Sequence, residues 1–157
     1  MNELKVRHML AKDIDDVVVI ESHSFAAPWS REAFEAEIMT NKLARYLVVQ
    51  TEGTVVAYAG MWMIFDEAHV TNVAVLPKYR GQGIGKQLMA SLILYAQQQG
   101  AERMTLEVRA SNEIAQNMYR QFGFTAKGIR PRYYTESNED ALIMWLDIKK
   151  ATFVAEG

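Results

Sequence analysis

The chain of 157 residues has no cysteine, three prolines, three histidines, and no long run of like charge or of apolar residues. The missing thiols exclude a disulfide framework, thiolate metal sites and a cysteine nucleophile together, and they suit a reducing compartment. His8, His23 and His69 are scattered and no HExxH or GxSxG pattern is present, so no metal is expected. Lys and Arg number 17 against 19 Asp and Glu, a formal net charge of -2. Without a basic run, nucleic acid is not an expected partner. The chain enters Leu4–Leu10, which alternates and carries charges, so neither a signal peptide nor a membrane span is expected and the cytoplasm is the expected place.

What is there has a globular composition, 50% apolar and 23% charged, with no repeat or low-complexity tract. The length suits one domain, expected over residues 1–150 with a tail at 151–157. A monomer or a weak homodimer is the expected state.

The stretch from His69 to Met89 organises the rest. Its first part, through Val75, is β-branched and closed by Pro77, which reads as a strand. From Ile84 a helical pattern begins, with Leu88, Leu92 and Tyr95 on a stripe and Met89 and Ile93 beside it. Between them stand Gly81, Gly83 and Gly85. A glycine-rich turn from a strand into a helix aligns bare backbone N–H groups where the helix dipole is positive, which suits phosphate. Arg80 and Lys86 flank it and can add charge-assisted contacts. A merely tight turn is the other reading, since neither a Walker loop nor a dinucleotide fingerprint is matched.

Around this centre, residues 4–10 read as a strand, and Asp13 as the cap of a helix through Glu21. Ser30 caps a second helix that ends before Asn41. Arg45–Gln50 and Val55–Phe65 form a hairpin across Glu52-Gly53. After the central helix Gly100 is the C-cap, and Arg103–Arg109 is a strand with Met104, Leu106 and Val108 on one face and Thr105, Glu107 and Arg109 on the other. Asn112 opens a helix that Gly123 stops. Phe124–Arg130 and Ala141–Ile148 are the last strands, joined by the run from Pro131 to Asp140; from Lys149 on no pattern is seen. The whole reads as α/β, a mixed and largely antiparallel sheet with helices on both faces.

Glu107 stands on the polar face of a strand expected beside the glycine turn. It reads as a general base if that face lines a cleft, and otherwise as a surface carboxylate paired with Arg109 or Arg103. Tyr119, two helical turns past Asn112, can present its hydroxyl as an acid, while Asn112 itself can be simply a helix cap. Trp29 can line a substrate groove or plug the core between two helices, and His69 can touch substrate or be a hydrogen-bonded structural residue.

Taken together, Arg80-Gly81-Gln82-Gly83-Ile84-Gly85 resembles the acetyl-coenzyme A (acetyl-CoA) pyrophosphate loop, R/Q-x-x-G-x-G/A, of the GNAT family of N-acetyltransferases. Leu106–Asn112, Ala115, Tyr119, Phe122-Gly123-Phe124, Arg132-Tyr133-Tyr134 and Asn138–Met144 are similar to the branch that acetylates protein N-termini, bacterial ribosomal protein S18 among them. The likeness covers residues 3–149. It implies a seven-stranded GNAT sheet and acetyl-CoA as co-substrate. Its pantetheine arm would lie along the backbone of Val73, Ala74 and Val75, and its pyrophosphate on the amides from Gly81 through Gln82, Gly83, Ile84 and Gly85 to Lys86, with Arg80 beside them and Asn112 near the pantetheine. Glu107 would accept the proton through water and Tyr119 would donate one to the departing thiolate. Trp29, Tyr133 and Tyr134 would wall the groove for the acceptor, the N-terminal alanine of ribosomal protein S18. Where some members carry paired arginines this chain has Gly81 and Gln82, which leaves less charge at the phosphates. Direct attack by an amine needs no side-chain nucleophile, so the lack of cysteine is no obstacle. Acetylation of lysine side chains or a small amine, and a non-catalytic acyl-CoA-binding module, are the other readings.

Overall fold

A computed structural model of the chain describes residues 3–150; the expected tail, 151–157, lies outside them. The elements run β1 (Lys5–His8), α1 (Ile14–Ser24), α2 (Arg31–Met39), β2 (Ala44–Thr51), β3 (Thr54–Ile64), β4 (Glu67–Val75), α3 (Ile84–Gln98), β5 (Arg103–Arg109), α4 (Glu113–Gln121), β6 (Thr125–Tyr134) and β7 (Glu139–Asp147). The strands form a seven-stranded sheet in the order β1-β2-β3-β4-β5-β7-β6. The pairs β1/β2, β2/β3, β5/β7 and β6/β7 are antiparallel and β4/β5 is parallel. The parallel pair follows from the α3 crossover, since a parallel neighbour needs a long connection. A mixed, mostly antiparallel sheet flanked by helices is what the patterning implied.

The chain packs as two compact units. One holds the residues up to Trp62 with Thr71–Leu92; the other holds Met63–Val70 with the residues from Ile93 on.

In the first unit β2 and β3 join through Glu52 and Gly53, both left-handed (φ 51° and 78°), the pair of conformations that matches the twist of a two-residue hairpin. Its core packs Val17 and Ile20 of α1 and Phe34 of α2 on Val48, Tyr58 and Ala74 of the sheet. The valines of α1 are thus tolerated by burial against strands. Helix α1 runs on to Ser24, past the expected end at Glu21. Asp13 does not cap it: a 3-10 turn, Ala11–Asp13, comes first, and the carboxylate accepts from both terminal nitrogens of Arg7 (2.8 Å each) and from the Leu10 N–H (2.8 Å). The Arg7 hydrogen bonds hold the Asp13 carboxyl below the usual range. Ser30 caps α2 as expected, accepting from the Ala33 N–H at 3.1 Å.

Two carboxylates of the helices turn inward in this unit. Glu37, 8% exposed, accepts from the Tyr46 hydroxyl, the Trp62 indole and the Asn41 amide, each at 2.7 Å. Glu21, 2% exposed, accepts from the Tyr58 hydroxyl and, at 2.8 Å, from the Trp29 N–H. Burial, with the facing carboxylate adding to it, pushes both tyrosine hydroxyls far above the ordinary phenol range. The donors are all neutral, and burying such polar groups has a cost that only full hydrogen bonding offsets.

Gly60 makes the arrangement possible. It pairs directly with Tyr46, and a Cβ there would overlap the ring, with Cδ2 at 2.7 Å and Cε2 and Cζ nearer still. Gly60→Ala is expected to displace the ring from Glu37 and cost about 1–3 kcal/mol. In thermal melts it should lower Tm by roughly 4–10 °C. Gly128→Ala, whose Cβ would meet only the Ile143 Cδ1 at 3.6 Å, should stay within about 0.5 kcal/mol of the parent. Equal Tm values for the two variants would refute the close approach.

In the second unit β5 pairs with β7 from Arg103↔Asp147 to Arg109↔Ala141, and β7 with β6. Strand β6 continues to Tyr134, beyond the expected end at Arg130, and β7 begins at Glu139. The extension is irregular. Pro131 has no N–H for the ladder, Arg132 is left-handed (φ 51°), its N–H goes to the Asp140 carboxylate at 2.9 Å, and pairing resumes at Tyr134↔Glu139. After β7, Ile148–Lys150 form a 3-10 turn where the sequence showed no pattern.

Candidate active site

The candidate residues fall in both units, some in each. In the first, β4 ends at Val75, a 3-10 turn covers Pro77–Tyr79, and Gly81 and Gly83 follow with φ 77° and 81°. Both need the left-handed region, and nothing lies within 4 Å of where their Cβ atoms would be. Gly85 differs, being already the second residue of α3. Gly81, Gln82, Gly83 and Lys86 are exposed. The first helical hydrogen bond runs from Gln87 N–H to Gly83 O at 3.0 Å, so the N–H groups of the residues just before Gln87 have no helical acceptor. An uncovered turn opening a 15-residue helix at its positive end fits a pyrophosphate. Arg80 turns elsewhere, donating Nε–H to the Val75 carbonyl at 3.0 Å and a terminal nitrogen to Ser24 Oγ at 3.4 Å. Trp29, half-buried, tilts on Phe34 with ring centroids 5.4 Å apart and packs on the core of the unit.

In the second unit Glu107 accepts from Arg130 Nε–H at 3.0 Å through Oε2. The partners read from sequence, Arg109 and Arg103, are engaged elsewhere. Arg103 pairs with Asp66 and Glu67 at 3.2 and 3.3 Å. Arg109 is drawn to the acidic turn between β6 and β7, donating to Glu136, to Ser137 Oγ (2.9 Å) and to Glu139 (3.3 Å) with its guanidinium 4.0 Å over the Tyr134 ring. Glu139 also accepts from the Ser111 N–H at 2.6 Å, which ties that turn to the end of β5. Hydrogen bonding to Ser111 and Arg109 keeps the Glu139 carboxyl low.

Asn112 caps α4, its side chain accepting from the Ala115 N–H at 3.1 Å. Gln116, buried and unnoticed in the sequence, donates to the Arg109 and Ala110 carbonyls at 2.9 and 3.0 Å and fixes the helix to the end of β5. Its place one turn after the cap was the available signal. Tyr119 is 8% exposed against Phe124, ring centroids 5.7 Å apart. Burial, then the neighbouring Tyr134, pushes its hydroxyl up to about 12. Burial also takes Tyr134 up to about 12, against the pull of Arg109. Tyr133 and Tyr134 meet edge to face at 5.1 Å. His69 hydrogen-bonds Glu67 at 3.1 Å and faces Trp145, as expected of a structural histidine.

The seven-stranded order, with a bare glycine turn opening α3 after β4, is the frame of an acyl-CoA-dependent acetyltransferase. Residues 14–124 match the Acetyltransferase (GNAT) family, and the chain belongs to it. It is an acetyltransferase, and the GNAT fold implies acetyl-CoA as co-substrate. Among its relatives, a Bacillus subtilis (strain 168) protein described as a candidate [ribosomal protein bS18]-alanine N-acetyltransferase is 44% identical over 145 residues, 92% of this chain and 96% of that one. The [ribosomal protein bS18]-alanine N-acetyltransferase of Escherichia coli (strain K12) is 39% identical over 140 residues, 87% of this chain and 92% of the other. The crystal structure of the ribosomal-protein-S18-alanine N-acetyltransferase from Escherichia coli superposes with a TM-score of 0.87, covering 96% of this chain and 97% of that one at 33% identity. Among the described residues no helix is long and apolar enough to cross a membrane.

Proposed function

We propose that the chain is a single catalytic domain, residues 1–150 followed by a tail, that works in the cytoplasm and moves the acetyl group of acetyl-CoA to the N-terminal α-amine of a protein, the alanine of ribosomal protein S18. The observation that carries this reading is the near full-length likeness, at 44% and 39% identity, to proteins named for that activity. Acetyl-CoA supplies a thioester carbonyl open to direct attack. The chain's own residues do the rest. The amides of Gly81 to Lys86 hold the pyrophosphate and the backbone of Val73 to Val75 the pantetheine, with Asn112 beside it. Glu107 takes the proton of the α-ammonium through water; an α-amine has a free pKa near 8, so the push required is modest. Tyr119 donates toward the leaving sulfur, and the Val75 N–H toward the carbonyl oxygen as charge develops there. Trp29, Tyr133 and Tyr134 contact the acceptor peptide. The formal charge of -2 gives no strong steering for a polycation.

Peptides copying the N-terminus of ribosomal protein S18, incubated with the protein and acetyl-CoA and read by mass spectrometry, should gain one acetyl group on the α-amine. Tyr134→Ala should raise KM for the peptide roughly 5- to 30-fold, the equivalent of about 1–2 kcal/mol, and leave KM for acetyl-CoA nearly unchanged. A higher kcat/KM for spermidine or for an internal lysine peptide would replace the N-terminal acceptor with a small amine or a lysine side chain.

A further inference from the structure

Across β5, β7 and β6 the pairing register sets rows of side chains on one face of the sheet, because directly paired residues point the same way. One row is Arg109, Ala141 and Arg130; the next is Glu107, Ile143 and Gly128. Arg130 and Glu107 are therefore diagonal neighbours two strands apart. Ala141 offers only a methyl group beside Ile143, and the arginine reaches across β7 to the carboxylate. It does so through one nitrogen on one oxygen, Nε to Oε2 at 3.0 Å. The same guanidinium lies 5.9 Å from the centre of the Tyr133 ring.

We infer that Arg130 is a positioning residue for Glu107, holding Oε2 so that Oε1 is the oxygen presented to the acceptor's proton. The inference rests on the reading of Glu107 as the base. A glutamate on a strand, with 27% of its side chain exposed, has several rotamers open to it. One charge-assisted hydrogen bond selects among them before any substrate arrives, and misplacement of a reacting group by about 1 Å can cost 10²-fold in rate. The guanidinium does this without standing at the reacting atoms. The β5 cations of the same face do not substitute for it: Arg109 is committed to Glu136 and Glu139, and Arg103 to Asp66 and Glu67.

The test compares Arg130→Gln and Arg130→Lys, each alone and the first also combined with Glu107→Gln, in assays with acetyl-CoA and the S18 peptide long enough for mass spectrometry to read slow variants. Arg130 has 56% of its side chain exposed, so its variants should melt with the parent. Arg130→Gln is expected to lower kcat about tenfold with KM for acetyl-CoA within about twofold, and Arg130→Lys to stay within about threefold of the parent. In the Glu107→Gln background, Arg130→Gln should change kcat by less than about twofold, the mark of a residue acting through another. Parental kcat in Arg130→Gln, an equal loss in both backgrounds, or no rescue by lysine overturns the assignment. Parental kcat in Glu107→Gln alone instead removes the base itself, which separates failure of the function from failure of this inference.

Discussion

Glu107→Gln is expected to lower kcat by about 10²-fold or more, the usual contribution of a positioned general base when proton removal limits the rate. The amide keeps the shape of the side chain and an oxygen able to accept from Arg130, so fold and acetyl-CoA affinity should survive. What disappears is the capacity to take a proton. The deficit should therefore depend on pH in one direction. Near neutrality an α-amine with a free pKa of about 8 is mostly protonated and needs the base, whereas above about pH 9 it is neutral unaided and the variant should approach the parent. Rates from acidic to alkaline pH, with calorimetric titration of acetyl-CoA, provide the check. A variant that follows the parent across the whole range is incompatible with the role.

Tyr119→Phe should be comparably damaging, about 10²-fold in kcat, for the opposite reason: it removes a proton that the site needs to keep. Burial raises the Tyr119 hydroxyl to about 12, so at every working pH it is protonated and able to donate. A thiol has a reference pKa near 8.5, and full transfer from a phenol at 12 would be about 5 kcal/mol uphill. In the proposed reaction the hydroxyl would thus serve as a hydrogen-bond donor to the sulfur as charge builds on it, and no alkaline fall in the parent rate should come from Tyr119 below about pH 11. Phenylalanine keeps the ring and its contact with Phe124, so Tm should stay close to that of the parent. A kcat within threefold of the parent would remove Tyr119 from the reaction.

Local signals in the chain were sufficient for much of this architecture. Of the α3 stripe, Ile84, Leu88 and Leu92 are buried, as are Met89 and Ile93 beside it, while Tyr95 is half-buried; Ser30, Asn112 and Gly100 stand at helix ends with the geometry their residue types favour. Burial periodicity says which face of an element turns inward, but not which polar residue on that face is satisfied there. Glu37 lies three residues after Phe34, and Glu21 four after Val17, both on buried stripes; partners supplied by β2, β3 and the loops at Trp29 and Asn41 make carboxylates tolerable at those places. The hold of Arg130 on Glu107 was hidden for another reason. It depends on β7 entering the sheet between β5 and β6, an order that no local pattern encodes. The sequence places the end of β6 at Arg130, whereas the strand runs on to Tyr134 with the Arg132 N–H taken by the Asp140 carboxylate, a partner from the facing strand that no local pattern shows.

That repaired stretch of β6 bears on how the molecule behaves when concentrated. As the last strand in the sheet, β6 offers one side of its backbone to any other chain. At Pro131 a donor is missing, at Arg132 the backbone turns left-handed and spends its N–H internally, and Lys127 and Arg130 stand exposed on the remainder. An intruding strand would find a template that runs out after a few residues and repels a second copy of itself. The irregularity that lengthens the hairpin also makes this edge of the sheet a poor template for edge-to-edge pairing.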